Sequence, residues 1–155
     1  MIILFKTEDT VLYSSRGICK ITDKSENFYT LSPIYGKDII IRVPYEAESK
    51  MKKVLSKDEI DAMIKSIGDM EWISDDKERQ IQFKKILLSG ERQKIISLIR
   101  LIYLHQKELK RSNKKFHIAD ERIFKEAEAL LYDEFAYVLN IKRENVIKYI
   151  GDIID

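Results

Sequence analysis

The sequence predicts an α+β protein: a small, partly open β-barrel followed by an all-helical domain of five helices. Three observations predict it. Up to position 48, β-branched and aromatic residues recur in runs of about five, separated by turn chemistry. From position 56 the apolar period lengthens to that of a helix. At 155 residues the chain can hold one compact domain or two small ones.

Four strands are expected first, over Thr10–Tyr13, Ile18–Thr22, Phe28–Leu31 and Asp38–Val43. Between them lie Ser14-Ser15-Arg16-Gly17, the run from Asp23 to Asn27, and Tyr35-Gly36-Lys37, residue types that favour turns. Pro44 stops the last strand, because proline cannot donate to the ladder. The charged stretch 45–55 reads as a hinge, which places the barrel at 1–48, the linker at 49–55 and the helical domain at 56–155.

Ser56 and Glu59 form a capping-box signature ahead of Ile60, Met63, Ile64 and Ile67, and Gly68 ends that helix. Ser74, Asp75 and Asp76 start the next, since acids favour the positive helix end. Ile81, Phe83, Ile86 and Leu87 give it an apolar side, and Gly90 breaks it. The third helix, to about Lys110, is apolar nearly all round and is expected at the centre. A fourth spans 118–139, and a short fifth runs from Arg143 to Ile153.

Composition excludes several classes. With 45% apolar and 35% charged residues, the chain reads as globular rather than disordered. The single cysteine, Cys19, rules out an internal disulfide and suits a reducing cytoplasm. The N-terminal residues lack the pattern of a signal peptide. The longest apolar stretch, Ile95 to Leu104, is interrupted by Ser97 and Arg100 and is too short to span a bilayer. A soluble cytoplasmic monomer without membrane contact is therefore expected.

Charge is segregated although the net charge is only +2. Residues 77–115 hold 12 Lys or Arg against 3 Asp or Glu, while the flanking segments 56–76 and 116–155 are acidic. A basic patch on a neutral domain is an electrostatic footprint for phosphate. A solvated face paired with acidic neighbours is the competing reading. Lys110-Arg111 and Lys114-Lys115, flanking a turn, are harder to assign to internal pairing.

Chemistry-bearing motifs are scarce. His105 and His117 stand apart from any cysteine, so no metal site is expected. Cys19 falls in a strand and reads as a small core residue. Asp75-Asp76 and Asp133-Glu134 read as helix-end and surface charges. With 5 scattered glycines there is no phosphate-cradling loop. Neither catalysis nor a cofactor is expected.

Val11-Leu12-Tyr13 with Gly17-Ile18, and then Ile40-Ile41-Arg42-Val43-Pro44, resembles the N-terminal polymerase-interacting module of the CarD/CdnL transcription regulators, a module related to one in the transcription-repair coupling factor. Ser89-Gly90-Glu91, the helix carrying Leu98, Arg100 and Leu101, the run from Ile118 to Ala127, and the run from Leu130 to Ala136 resemble the family's helical domain. The resemblance spans about residues 8–139. It implies a Tudor- or SH3-like barrel that binds the β subunit of bacterial RNA polymerase. It further implies a helical domain that contacts promoter DNA at the upstream edge of the bubble, with little sequence specificity. There a tryptophan wedges into the minor groove and basic residues hold phosphates.

Carried over residue by residue, Arg42 matches the family's polymerase-contacting arginine, and a charge that protects an edge strand is its other reading. Ile41 shares the motif. Tyr13 and Pro44 match as well, with folding as the stronger reading. The wedge falls on Trp72 only with an insertion of about four residues, roughly one helical turn. Aligned without a gap from Gly90, that position is Asp76. A partly buried anchor is the alternative for Trp72. Arg79 fits the family's arginine after the tryptophan, and Lys77, Lys84, Lys85, Lys110, Arg111, Lys114 and Lys115 are candidate phosphate contacts. The sequence departs from the family at Glu8, which replaces a frequent glycine, at the short loop before Asn27, and at His117, where a capping serine is common. A protein-binding adaptor without DNA contact is the main rival, and an enzyme of unrecognised type the second.

Overall fold

A computed structural model describes residues 4–13, 16–36 and 38–154. Ser14, Ser15 and Lys37 of the expected turns, the first three residues and Asp155 lie outside the described residues. The chain folds as a five-stranded antiparallel sheet, curled into a half-barrel, followed by helices.

The strands are β1 (Thr10–Tyr13), β2 (Gly17–Lys24), β3 (Phe28–Pro33), β4 (Ile41–Pro44) and β5 (Met51–Lys53), in the order β4-β3-β2-β1-β5. Alternation explains the core. Val11, Cys19, Ile21, Tyr29, Leu31 and Val43 are each fully buried on the concave face. Tyr29 meets Tyr45 edge-to-face at 4.8 Å between ring centroids. The β2–β3 register slips between Ile21 and Asp23, a bulge that sharpens the curl. Glu8, where the family resemblance expects glycine, has φ 80 and donates its backbone N–H to Ile21 at 2.8 Å. A left-handed residue opens the turn into β1, and the Glu8–Lys20 pair at 2.7 Å sits beside it.

Two expectations are corrected here. The fourth strand begins at Ile41 rather than Asp38. Three consecutive isoleucines cannot all point inward from one strand, and Ile40 is 74% exposed. The stretch read as hinge is ordered structure: a 3-10 turn (Tyr45–Lys50) leads into β5, which pairs with β1 through Val11–Lys53 and Tyr13–Met51.

The described residues contain five α-helices: α1 (Lys57–Lys65), α2 (Asp76–Ser89), α3 (Arg92–Arg111), α4 (Ile118–Leu139) and α5 (Val146–Ile154, after a 3-10 turn at Arg143–Asn145). Both halves of the Ser56/Glu59 capping box form. Asp75, not Ser74, caps α2 by accepting from the Glu78 N–H at 2.8 Å. His117 caps α4 by accepting the Ala119 N–H on Nδ1 at 3.2 Å, taking the part a serine would play. Gly90 at φ 65 ends α2 and turns the chain into α3.

Ile60, Ile64, Ile95, Ile96, Leu131 and Phe135 build the main helical core. Phe83, Leu98, Ile102 and Ile123 build a second cluster towards the other end. Each such side chain contributes about 1.5–3 kcal/mol by leaving water. Only the first half of α3 is central, because Tyr103 and Leu104 are exposed. Ile81, expected on the apolar side of α2, is exposed too. Tyr149 of α5 donates to Asp61 of α1 at 2.5 Å, which pins the last helix across the bundle.

The sheet and the helices share an interface. Glu134 of α4, completely buried, accepts Arg92 Nε and Nη2 at 2.8 Å each and the Leu55 N–H at 3.0 Å. Arg92 also reaches the Lys53 carbonyl at 3.1 Å, Lys52 reaches the Gly90 carbonyl at 3.2 Å, and Thr10 and Tyr137 share a hydroxyl hydrogen bond at 3.1 Å. Among the described residues, no helix is long and apolar enough to cross a membrane.

Candidate nucleic-acid interface and docking edge

The expected site residues fall on two surfaces. The first is β4, an edge strand that hydrogen-bonds only β3 among the described residues. Its residues alternate: Val43 is buried in the half-barrel, while Arg42 and Pro44 face outward. Arg42 lies opposite Thr30, with its guanidinium carbon 5.3 Å from the Phe28 ring centroid. It has no ion-pair partner among the described residues. Ile41 is half-buried against the barrel core. Beside it Ile40, Ile39 and Tyr35 leave apolar surface open at 74%, 36% and 45% exposure. An unpaired edge flanked by apolar side chains and a cation can accept a partner strand. Tyr13 does not join this group: β2 and β3 separate it from β4, and it packs on the barrel core beside Met51.

The second surface is the α2–α3 hairpin, where Trp72 and Arg79 need correction. Arg79 is 3% exposed. Its Nε and Nη2 donate to Asp120 at 2.9 and 3.0 Å, Nη2 also to Asp76 at 2.8 Å, and Nη1 to the Ile73 and Ser74 carbonyls at 3.0 and 3.5 Å. Every donor is engaged, so none remains for a phosphate. Asp120 takes a further bond from Gln80 at 3.1 Å. Trp72 is half-buried in the segment before α2. His105 stacks on its ring at 3.5 Å and 10°, Arg79 lies 4.7 Å from its centroid, and Phe83 meets it edge-to-face. These contacts are those of an anchor. Burial holds the His105 pKa below its usual value, against the pull of Asp120, with Arg79 pushing the same way as burial.

The lysines behave differently. Lys77, Lys84, Lys85, Lys107, Lys110, Lys114 and Lys115 are all exposed and outside every ion pair among the described residues. Arg79, Arg92 and Arg100 reach carboxylates at Asp120, Glu134 and Asp69, and Lys94 pairs with Glu91 at 2.7 Å, whereas those seven lysines face water. Arg111 is exposed and pairs loosely with Glu108 at 3.7 Å.

Asp76 comes within 3.8 Å of His117, so the turn carrying Lys114 and Lys115 lies beside the start of α2, with Lys77, Trp72 and Arg79. Lys84 and Lys85 lie further along α2, about 10 Å from Lys77 at 1.5 Å per residue. They share an outward stripe with Ile81 and Leu88, which are 48% and 87% exposed. Sequence reading missed these two and Ile40. Ile81 fits the inward apolar spacing, yet it also lies at i+4 from Lys77 and i−4 from Lys85, on the charged face.

The hairpin carries the second surface away from the sheet. Gly90 and Arg92 hold the sheet, and Lys110 lies about 27 Å further along α3. Cys19 offers no reactive thiol: it is fully buried in the half-barrel, and burial pushes its pKa up to about 11. Compared with known proteins, the chain matches no family model and no curated protein.

Proposed function

We propose that this chain is a transcription regulator of the CarD/CdnL type. Its half-barrel is read as a Tudor- or SH3-like module that docks on the β subunit of bacterial RNA polymerase. Its five-helix domain holds promoter DNA at the upstream edge of the bubble. It works in the cytoplasm as a monomer and catalyses nothing. The observation that carries this reading is the split within residues 77–115: Arg79, Arg92 and Arg100 are held by carboxylates, while seven exposed lysines along α2, α3 and the turn after α3 are left unpaired among the described residues. Lysines of this kind position a phosphate backbone without reading sequence. The free edge of β4, with Arg42 and Ile40, supplies the docking strand. Tethering through the barrel raises the local concentration of the lysines at the duplex, so weak phosphate contacts suffice. Stabilising the open complex by about 1.4 kcal/mol would shift its equilibrium tenfold.

Arg42→Glu should abolish capture of the β subunit in a pull-down while circular dichroism stays unchanged. Undiminished capture removes β4 from the docking site. The covered ring of Trp72 favours a second reading, an adaptor that docks on polymerase without touching DNA. A salt titration on a forked promoter duplex separates the two. A DNA binder loses affinity steeply with salt, and an adaptor shows no binding at any concentration.

A further inference from the structure

A groove of about 300 Å³ opens between α3, α4 and α5, closed at one end by Ile67 after α1. Its walls are apolar, with Ile96 and Ile99 from α3, Phe124 from α4 and Ile150 from α5. Four exposed apolar side chains gather here: Tyr103, Leu104, Ile147 and Ile154 are each 42–48% exposed around the mouth. Clustering of that kind marks a binding surface, whereas single exposed residues do not.

The formal charges lining the groove are Arg100 and Lys107, both cations, two turns apart on α3, about 10 Å along its axis. Among the described residues Arg100 is held only by Asp69, at 3.1 Å, and Asp69 is almost fully exposed, so a ligand can displace that pair cheaply. Lys107 rests its ammonium 5.3 Å from the Tyr103 ring centroid and has no acid partner among the described residues. Apolar walls with a cationic rim select an anionic head on an alkyl tail. A second copy of this chain is a poorer occupant: a two-fold contact would set the same two cations against themselves. The cavity sits at the small end of ligand sites, which favours a medium-length chain.

We propose that this groove binds an anionic amphiphile of the alkyl-carboxylate class, tail between α3 and α5 and carboxylate at Arg100 and Lys107. The site is separate from the β4 edge and shares only Lys107 with the exposed lysines of the candidate DNA interface, so its apolar walls and Arg100 hold whether or not the chain acts on transcription.

The test is calorimetric titration of the full chain with decanoate below its micelle concentration, with decanol and decyltrimethylammonium as controls. Saturable one-to-one binding of decanoate is expected, roughly tenfold tighter than decanol, the size of one charge-assisted contact. The cationic amphiphile should not bind. Arg100→Gln with Lys107→Gln should erase the preference for decanoate over decanol. Leu104→Glu, at an exposed position that the fold tolerates, should abolish decanoate binding with the circular dichroism unchanged. Absence of saturable decanoate binding overturns the proposal. So does equal affinity for decanol, or binding indifferent to Leu104→Glu. A concentration-dependent dimer dissolved by Leu104→Glu, with no decanoate binding, gives the groove to a second copy instead.

Discussion

Asp120→Ala is the substitution whose cost the structure fixes most closely. Asp120 is 1% exposed and accepts Arg79 Nε and Nη2 together with Gln80 Nε2. Its removal strands a guanidinium that is itself 3% exposed, where water cannot replace the lost oxygens. Breaking a buried pair from one side costs about 3–5 kcal/mol. Here Arg79 keeps the exposed Asp76, the Ile73 carbonyl and the Trp72 ring, so the cost lies at the lower end, about 3 kcal/mol. For a chain of this size that lowers Tm by roughly 6–12 °C. Arg79→Ala leaves Asp120 with Gln80 alone and strips a cation from Trp72, which moves the cost towards about 5 kcal/mol. Urea unfolding followed by the emission of Trp72, the one tryptophan in the sequence, reads both variants. If Arg79→Ala kept full stability and lost only affinity for DNA, the buried-pair assignment would be wrong and Arg79 would be a phosphate contact.

Lys84→Gln with Lys85→Gln should change stability by less than about 0.5 kcal/mol, because both side chains are exposed and unpaired. The same variant should lower the slope of log affinity against log salt by about 2 in a fluorescence anisotropy titration on duplex DNA; an unchanged slope removes both from the interface. Since folding lowers the His105 pKa, its stabilising effect is complete above pH 6.5 and declines as pH falls from 6.5 through the lower folded value. His105→Phe, which stacks on Trp72 without titrating, should flatten that part of the pH–Tm curve, and an identical wild-type curve would contradict the stacking account. Glu134→Ala strands Arg92 and the Leu55 N–H at the junction with the sheet. It should cost about 3 kcal/mol and speed proteolysis between Lys53 and Ser56, and an unchanged digestion pattern would show that the latch does not hold the two parts.

What was legible in the sequence was local. Thr10–Tyr13 and Ile118–Leu139 form the elements their periodicity indicates, and Ser56 with Glu59 forms its capping box, because each signal lies within a few residues of the group it organises. β5 escaped because Met51-Lys52-Lys53 buries one residue and exposes two lysines, too short for a period and charged as edge strands are. Arg79 and Lys84 look alike in a basic run. What parts them is an aspartate 41 positions away from Arg79, and no spacing rule reaches that far. Arg92 and Glu134, 42 apart, repeat the lesson, and the reading of Asp133-Glu134 as surface charge fails at Glu134 for the same reason. Ile39-Ile40-Ile41 did carry a usable signal: in a strand exposed on one face, one of three neighbours must face out.

A hydroxyl-radical footprint of the chain on a polymerase–promoter complex addresses both surfaces at once. Protection should appear at the upstream edge of the melted region with the wild-type chain. It should vanish with Arg42→Glu, and separately with glutamine at Lys84, Lys85, Lys114 and Lys115. Protection that survives Arg42→Glu, or none with the wild type, would contradict the idea of one chain joining an enzyme to its DNA.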